Sequence, residues 1–340
     1  MIHRPRGESL RPGRLLLRIG GGLPLCLGLL TLAGCSAQDE TRVLKLAHGL
    51  DVTHPVHLAM VHLADRVTEL SGGRMRVDIH PSGQLGEERE LIEMLQIGSI
   101  AMTKVSASPL ESFVPEMMVF SIPYVFRDQD HLWQVLDGEI GEQLLVAAEA
   151  FDLRGLCYYD AGPRNFYTSS MPIRVPEDLD GLKIRVQKSI TSTRMVRTLG
   201  GSATPIDWGE LYSALQQGVV DGAENNLPSF YLSRHYEVSG SYTMDEHTWV
   251  PDVLLISTQV WGDLSTEERG WLQVAVASSV VEQRRLWREA IQEALVQVRA
   301  AGVEIIEPDK GAFRRAAEPM FESYRGTPTY DLLKAIEEVR

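Results

Sequence analysis

Two arginines stand where a carboxylate could be gripped. Arg164 lies in GPRNFYTS, and Arg185 lies in GLKIRVQ among Leu182, Ile184 and Val186. A guanidinium offers a planar fork of donors that matches a carboxylate through two parallel hydrogen bonds. In alternating strand geometry Arg185 shares a face with Lys183, opposite the apolar set, so a solvated surface charge is the competing reading for both arginines. A second polar group, Asn225 and Asn226, ends the stretch VVDGAENN. Open α/β sheets gather ligand groups at the carboxyl ends of their strands, where these asparagines fall.

The signatures of enzymes are missing from the sequence. It has no Gly-x-Ser-x-Gly elbow, no phosphate-binding loop and no CxxC. His54, His57 and His62 are three and eight positions apart, not the i, i+4 pair of a helical zinc site, so neither metal nor cofactor is expected. One catalytic alternative stays open: Glu88 with Asp221 or Glu224 as the acid and base of a secreted enzyme on acidic sugars, whose carboxyls would stand roughly 5 to 9.5 Å apart. His54, Glu88 and Lys104 sit at strand ends or helix starts and suit either sugar hydroxyls or a solvated surface. Asp160, Trp208 and His247 join them on the same grounds, and Trp208 also suits a sugar ring face or the core.

Strand and helix alternate along the chain to position these groups. RVLKLAHGL reads as a strand, HPVHLAMVHLADRVTELSGG as an amphipathic helix closed by two glycines, and RMRVDIHP as a strand. GEERELIEMLQIG and SIAMTKVS continue as helix and short buried strand, a spacing that predicts βαβ units and a largely parallel sheet. The stretch from Val114 reads as apolar strand-like pieces punctuated by Pro115 and Pro123, then two helices and a strand ending near Asp160. The alternation restarts with GLKIRVQ. In IDWGELYSALQQG, Asp207 and Glu210 predict a capping box and Gly218 a stop, with a buried strand from Val219. Residues 265–300 form the longest helical pattern, roughly 50 Å at the α-helical rise.

We therefore expect an α/β protein of two lobes, joined by crossing strands and enclosing a cleft. The first lobe takes residues 41–161 and 250–290, the second 162–249 and 318–340, and the helix at 265–300 bridges them.

The N-terminus carries a different signal. Arg4, Arg6, Arg11, Arg14 and Arg18 precede GLPLCLGLLTLAGC, an apolar run too short to span a bilayer comfortably. Residues 1–35 read as an export signal whose LAGC resembles a bacterial lipobox, which implies lipid attachment at Cys35 after cleavage. Removing residues 1–34 takes away five arginines and Glu8, leaving 28 basic and 45 acidic residues and a formal charge of −17. So acidic a chain disfavours a nucleic-acid partner. Cys157 is then the one cysteine of the folded part, in an apolar strand pattern, so no disulfide within it can form.

The stretches PSGQLGEERELIEMLQIGSIAM, DLDGLKIRVQ and ELYSALQQGVVDGAEN, in this order, resemble the solute-binding subunit of tripartite ATP-independent periplasmic (TRAP) transporters, the dicarboxylate-binding P subunit family. The resemblance runs from about Val43 to the C-terminus. It implies a monomeric periplasmic binding protein that closes on a small organic acid and delivers it to an ion-gradient-driven membrane permease, with the membrane reached only through the N-terminal lipid. It implies a carboxylate salt bridge at Arg185, and ligand roles for Arg164 and Asn225. Asn226 stands where the family commonly has proline, which favours a hydroxylated ligand such as a uronic or aldonic sugar acid over a C4-dicarboxylate or keto acid.

Overall fold

The computed structural model describes residues 41–340. The expected export signal and Cys35 lie outside them. The chain begins with β1 (Arg42–Ala47), α1 (Pro55–Ser71) and β2 (Met75–His80), and the two strands pair in parallel. Helix α1 follows from its sequence: Pro55 occupies the first turn, where its missing N–H costs nothing, and Val56, Met60, Leu63 and Val67 make one buried stripe. Gly72 ends it in the left-handed region at φ 62°.

Next come α2 (Glu88–Gln96), β3 (Met102–Ser106) and the short α3 (Ala107–Leu110). The proline-punctuated stretch expected as strand pieces is instead a 3₁₀ turn, Pro115–Ser121, with Pro115 at its start and Met117, Val119 and Phe120 buried. Apolar runs this short do not distinguish strand from buried turn. Helices α4 (Gln129–Leu136) and α5 (Glu139–Ala147) then lead to β4 (Leu153–Tyr159).

Asp160, Ala161 and Gly162 carry the chain into the second lobe, which comprises β5 (Pro163–Thr168), β6 (Lys183–Val186), α6 (Ile190–Thr198), β7 (Ser202–Pro205), α7 (Leu211–Gln216), β8 (Gly222–Asn225), α8 (Leu227–Leu232) and β9 (Ser241–Trp249). Val250 and Pro251 return it to the first lobe as β10 (Asp252–Ser257). The chain closes with α9 (Thr258–Asp263), α10 (Thr266–Ala300), β11 (Glu304–Ile306), α11 (Lys310–Glu322) and α12 (Pro328–Glu338).

Among the described residues the strands form a five-stranded sheet, β2-β1-β3-β10-β4, and a six-stranded sheet, β11-β9-β5-β8-β6-β7. Both are mixed rather than largely parallel. The strands that leave a crossing enter reversed: β10 is antiparallel to β3 and β4, and β5 to β8 and β9. Helix α10 contributes Leu272, Ala275, Val276 and Trp287 to the core beneath the first sheet, and Ala294 and Val298 to the core of Tyr167, Phe230 and Tyr242 in the second. Its start carries a formed capping box between Ser265 and Glu268. Helix α11 packs on α6, whereas α12, expected with the second lobe, is tied to the first. Arg127 donates to the carbonyls of Glu337 and Val339, and the His131 ring meets that of Ile336 at 2.9 Å.

Two local expectations around β8 differ from the structure. Val219 is exposed and the strand begins only at Gly222, where a Cβ would come within 2.4 Å of the Tyr167 carbonyl oxygen of β5. Close pairing of those two backbones therefore needs glycine. Asp207 makes no capping hydrogen bond, and a 3₁₀ turn, Trp208–Glu210, precedes α7. The Asp207 carboxylate pairs with Lys188 instead, so the capping box predicted there is absent.

Candidate functional site

Between the lobes lies a cavity of about 770 Å³, including the part open to solvent. Sheet order explains its second-lobe wall. Strand β8 runs between β5 and β6, with Asn165 opposite Asn225 and Arg185 opposite Ala223. The start of antiparallel β5 and the ends of β6 and β8 thus meet, which gathers Arg164, Arg185, Asn225 and Asn226 on one edge.

The two arginines are in different states. Arg164 forks onto the Glu224 carboxylate, with Nη2 donating to Oε1 at 2.9 Å and Nε donating to Oε2. It also donates from Nη2 to the Glu224 carbonyl at 2.7 Å and from Nη1 to Asn225 Oδ1 at 2.9 Å. Its charge is therefore matched within the protein. Arg185, only 2% exposed, donates through Nε to the Ile206 carbonyl at 2.9 Å, its Nη1 has no hydrogen-bond partner, and no carboxylate pairs with it among the described residues. Burial lowers its pKa, partly offset by Tyr167 and Glu224. Lys183 and Arg185 alternate with the core residues Ile184 and Val186 of β6 but differ in exposure: Lys183 is exposed at the strand's start, while Arg185 is buried, 5.9 Å from the centre of the half-buried Trp208 ring.

Both asparagines commit their carbonyls to the protein. Asn225 Oδ1 accepts from Arg164 and from the Asn226 backbone N–H at 2.9 Å, and Asn226 Oδ1 accepts from Ser229 N at 2.8 Å as the cap of α8. Neither NH₂ group donates to another described residue, and both residues line the cavity.

The first-lobe wall is built around Lys104 of β3, 3% exposed, which donates to Asp252 Oδ1 at 3.0 Å and Glu88 Oε1 at 3.4 Å. Burial alone would lower the Lys104 pKa, but the two carboxylates raise it. His54 caps α1 through Nδ1 and reaches across the cleft through Nε2 to Ser229 Oγ at 3.3 Å. Burial first, then nearby Lys104, pushes its pKa down to about 3, so the ring is neutral. Glu87, just before α2, points at the backbone N–H of Gly209 in the other lobe, and burial, Asp207 and Glu88 raise its pKa.

Eight of the ten expected ligand residues line the cavity: Arg164, Arg185, Asn225, Asn226, His54, Glu88, Lys104 and Trp208. Asp160 and His247 do not. Asp160 braces the crossing, accepting from Gly162 N and Gln129 Nε2 at 2.8 Å each, while Gln283 of α10 bonds its backbone. His247 is fully buried behind Glu224, with Nδ1 2.8 Å from Asp245 Oδ2 and Nε2 3.5 Å from Glu224 Oε2. Burial opposes its charge, but the two carboxylates win and raise its pKa to about 9. Two of the three carboxylates weighed for catalysis, Glu224 and Asp221, are likewise committed. Arg164, against the cost of burial, holds Glu224 down at about 2, and Asp221 Oδ2 accepts from Lys183 N at 2.7 Å.

Sequence reasoning passed over Asp252, Gln187, Lys188 and Ser229 on the lining. Asp252 had one usable signal, its place at the head of the strand after the second crossing. Its register opposite Ser106 sets it diagonally from Lys104, but that pairing spans 148 residues.

Two α/β lobes joined by crossing strands, with a charged cleft between them, are the architecture of a solute-binding protein. The bacterial extracellular solute-binding protein family 7, DctP, matches residues 46–327, and the chain belongs to this family of TRAP transporter solute-binding subunits. The chain is 38% identical over 317 residues to the Salmonella typhimurium protein YiiZ, covering 92% of this chain and 96% of that one. A TRAP periplasmic solute-binding protein from a Bradyrhizobium species, solved with α/β-D-galacturonate, is 39% identical with a TM-score of 0.85, covering 87% of this chain and all of its own. Another from a Polaromonas species, solved with D-erythronate, is 31% identical with a TM-score of 0.85 over 88% of this chain and 99% of its own. No helix of the described residues is long and apolar enough to cross a membrane.

Proposed function

We propose that this protein binds a uronic or aldonic sugar acid in its interlobe cleft, without turning it over, and delivers it to the membrane permease of its transporter. The observation that carries the reading is Arg185, a buried guanidinium with no carboxylate among the described residues to pair with. A ligand carboxylate completes it bidentately, and closure of the cleft strengthens that contact by excluding water. Around it the NH₂ groups of Asn225 and Asn226 donate to ligand oxygens, while Lys104, Glu88 and His54 reach hydroxyls from the other lobe. Trp208 offers its face to the sugar ring. The galacturonate and erythronate found in the relatives are both hydroxylated monocarboxylates, which supports this choice over a C4-dicarboxylate or keto acid.

The reading extends to a monomer held at the membrane by lipid on Cys35; mass spectrometry of the exported protein, showing diacylglyceryl on an N-terminal Cys35 or not, decides that part. Calorimetric titration with galacturonate, glucuronate, erythronate, succinate and pyruvate tests the ligand class. Binding of succinate or pyruvate but of no sugar acid would sink it, as would an Arg185→Ala variant that binds as tightly as the parent.

A further inference from the structure

We infer that the cavity admits sugar acids with one carboxylate and rejects the corresponding dicarboxylic acids, with Lys104, Glu88 and Asp252 as the residues that make the choice. The inference rests on Arg185 as the carboxylate site.

Charge pairing around the cavity leaves room for a single negative group. Arg89 pairs with Glu93, Lys188 with Asp207, and Arg164 with Glu224. Lys104 is shared by two carboxylates, Glu88 and Asp252. Among the described lining residues this leaves Arg185 as the cation without a carboxylate and Glu87 as a carboxylate without a cation. One ligand carboxylate neutralises Arg185. A second, carried at the other end of the sugar, meets the first-lobe wall, where one ammonium already serves two carboxylates and the trio is formally −1.

Hydrogen-bond chemistry leads the same way. Glu88 Oε1 accepts from Lys104 and from Ser106 N at 2.9 Å, while Glu88 Oε2 and Asp252 Oδ2 accept from no described residue. An ionised carboxylate oxygen only accepts, so these two oxygens are matched by hydroxyl donors. A hydroxyl or hemiacetal of the ligand supplies the donor; a second carboxylate has none and brings like charge. Lys104 has three N–H donors and two protein partners, which leaves one for a ligand oxygen. Rejection through a repulsive wall is how an anion site gains specificity beyond its attractive contact.

Galacturonate and galactarate share one carbon skeleton; C1 is a ring-closing hemiacetal in the first and a carboxylate in the open-chain second, so the change of their ratio in charge-removing variants isolates the part due to charge. In calorimetric titrations of the purified protein, galacturonate should bind at least about a hundredfold more tightly than galactarate, the scale of a like-charge clash at a closed interface. Equal affinities would overturn the inference while leaving the carboxylate site intact. Failure of galacturonate, glucuronate and erythronate alike would overturn that site, and the inference with it. Asp252→Asn and Glu88→Gln each remove one negative charge at nearly constant shape, and each should narrow the galacturonate-to-galactarate ratio about tenfold. Should Asp252→Asn fold poorly, Glu88→Gln reads the same quantity at a more exposed position. An unchanged ratio where galacturonate still binds, or loss of all binding in both folded variants, would reduce the trio to a structural role.

Discussion

Arg164 and Arg185 stand on the two strands that flank β8, and only Arg164 meets a carboxylate there. A buried, uncompensated charge opposes folding, so the empty protein carries a penalty that the proposed ligand carboxylate would relieve. Arg185→Met should raise the unfolding free energy of the ligand-free protein by about 1–3 kcal/mol while abolishing stabilisation by galacturonate. Urea denaturation with and without the sugar acid reads both effects. A less stable empty variant would show that Arg185 serves the fold rather than the ligand.

Arg164 and Glu224 should behave as one unit. Replacing one partner of a buried, doubly bonded pair leaves the other charge uncompensated, which typically costs about 3–5 kcal/mol. Glu224→Gln and Arg164→Met should each destabilise on that scale, and the double variant by less than the sum of the two. Strict additivity in denaturation midpoints would show the pair to be uncoupled.

The same network gives stability a defined dependence on pH. His247 is raised from 6.5 to about 9, because Asp245 and Glu224 outweigh the cost of burying the imidazolium. The folded state then holds a proton that the unfolded chain releases above pH 6.5, so this contribution is complete below 6.5 and is lost as pH rises through about 9. Glu224 has the opposite sign. Its pKa falls from 4.5 to about 2, so its contribution is present above 4.5 and is lost as pH falls toward 2. His247→Gln should remove the decline between pH 6.5 and 9, a matter of about 1–3 kcal/mol. A variant whose stability falls over that window as steeply as the parent's would show that another group titrates there.

What could be read in the sequence follows from the range of the interactions involved. The α1 stripe, the extent of α10 and the two crossings are set by neighbours in sequence, and they were legible. Arg185 was legible as an arginine embedded among apolar strand residues, but its isolation was not, since that depends on which carboxylates the fold keeps away. Arg164 invited a direct ligand role, yet its partner Glu224 lies 60 residues on and reaches it only through the β5–β8 ladder. Asp160 and His247 illustrate the converse: polar residues at strand ends serve a hinge or a buried ion pair as readily as a cleft. At Asp207 a sound local signal lost to Lys188, a partner just past the end of β6.

Closure should depend on a contact that never touches the ligand. Glu111, which follows α3 in the first lobe, accepts from the Thr191 backbone N–H of α6 in the second at 3.0 Å. It is buried and does not line the cavity. Removing such an acceptor from the first turn of a helix costs about 1 kcal/mol, which here falls on the closed form, so Glu111→Ala should weaken sugar-acid binding about three- to tenfold. Unchanged affinity in calorimetry would show that the contact persists in the open protein and plays no part in closing.

Asn226 caps α8 with one side of its amide and is proposed to meet the ligand with the other, and substitution can part the two. Its Oδ1 caps α8 at Ser229 N, while its NH₂ donates to no described residue and lines the cavity. Asn226→Asp keeps the capping oxygen but replaces the donor with an anionic acceptor, so thermal stability should hold while sugar-acid affinity drops at least about tenfold. Asn226→Ala loses both and should cost about 1 kcal/mol of stability as well. If the aspartate variant bound the sugar acid as well as the parent, the NH₂ group would not face the ligand, and Asn226 would be a helix cap alone.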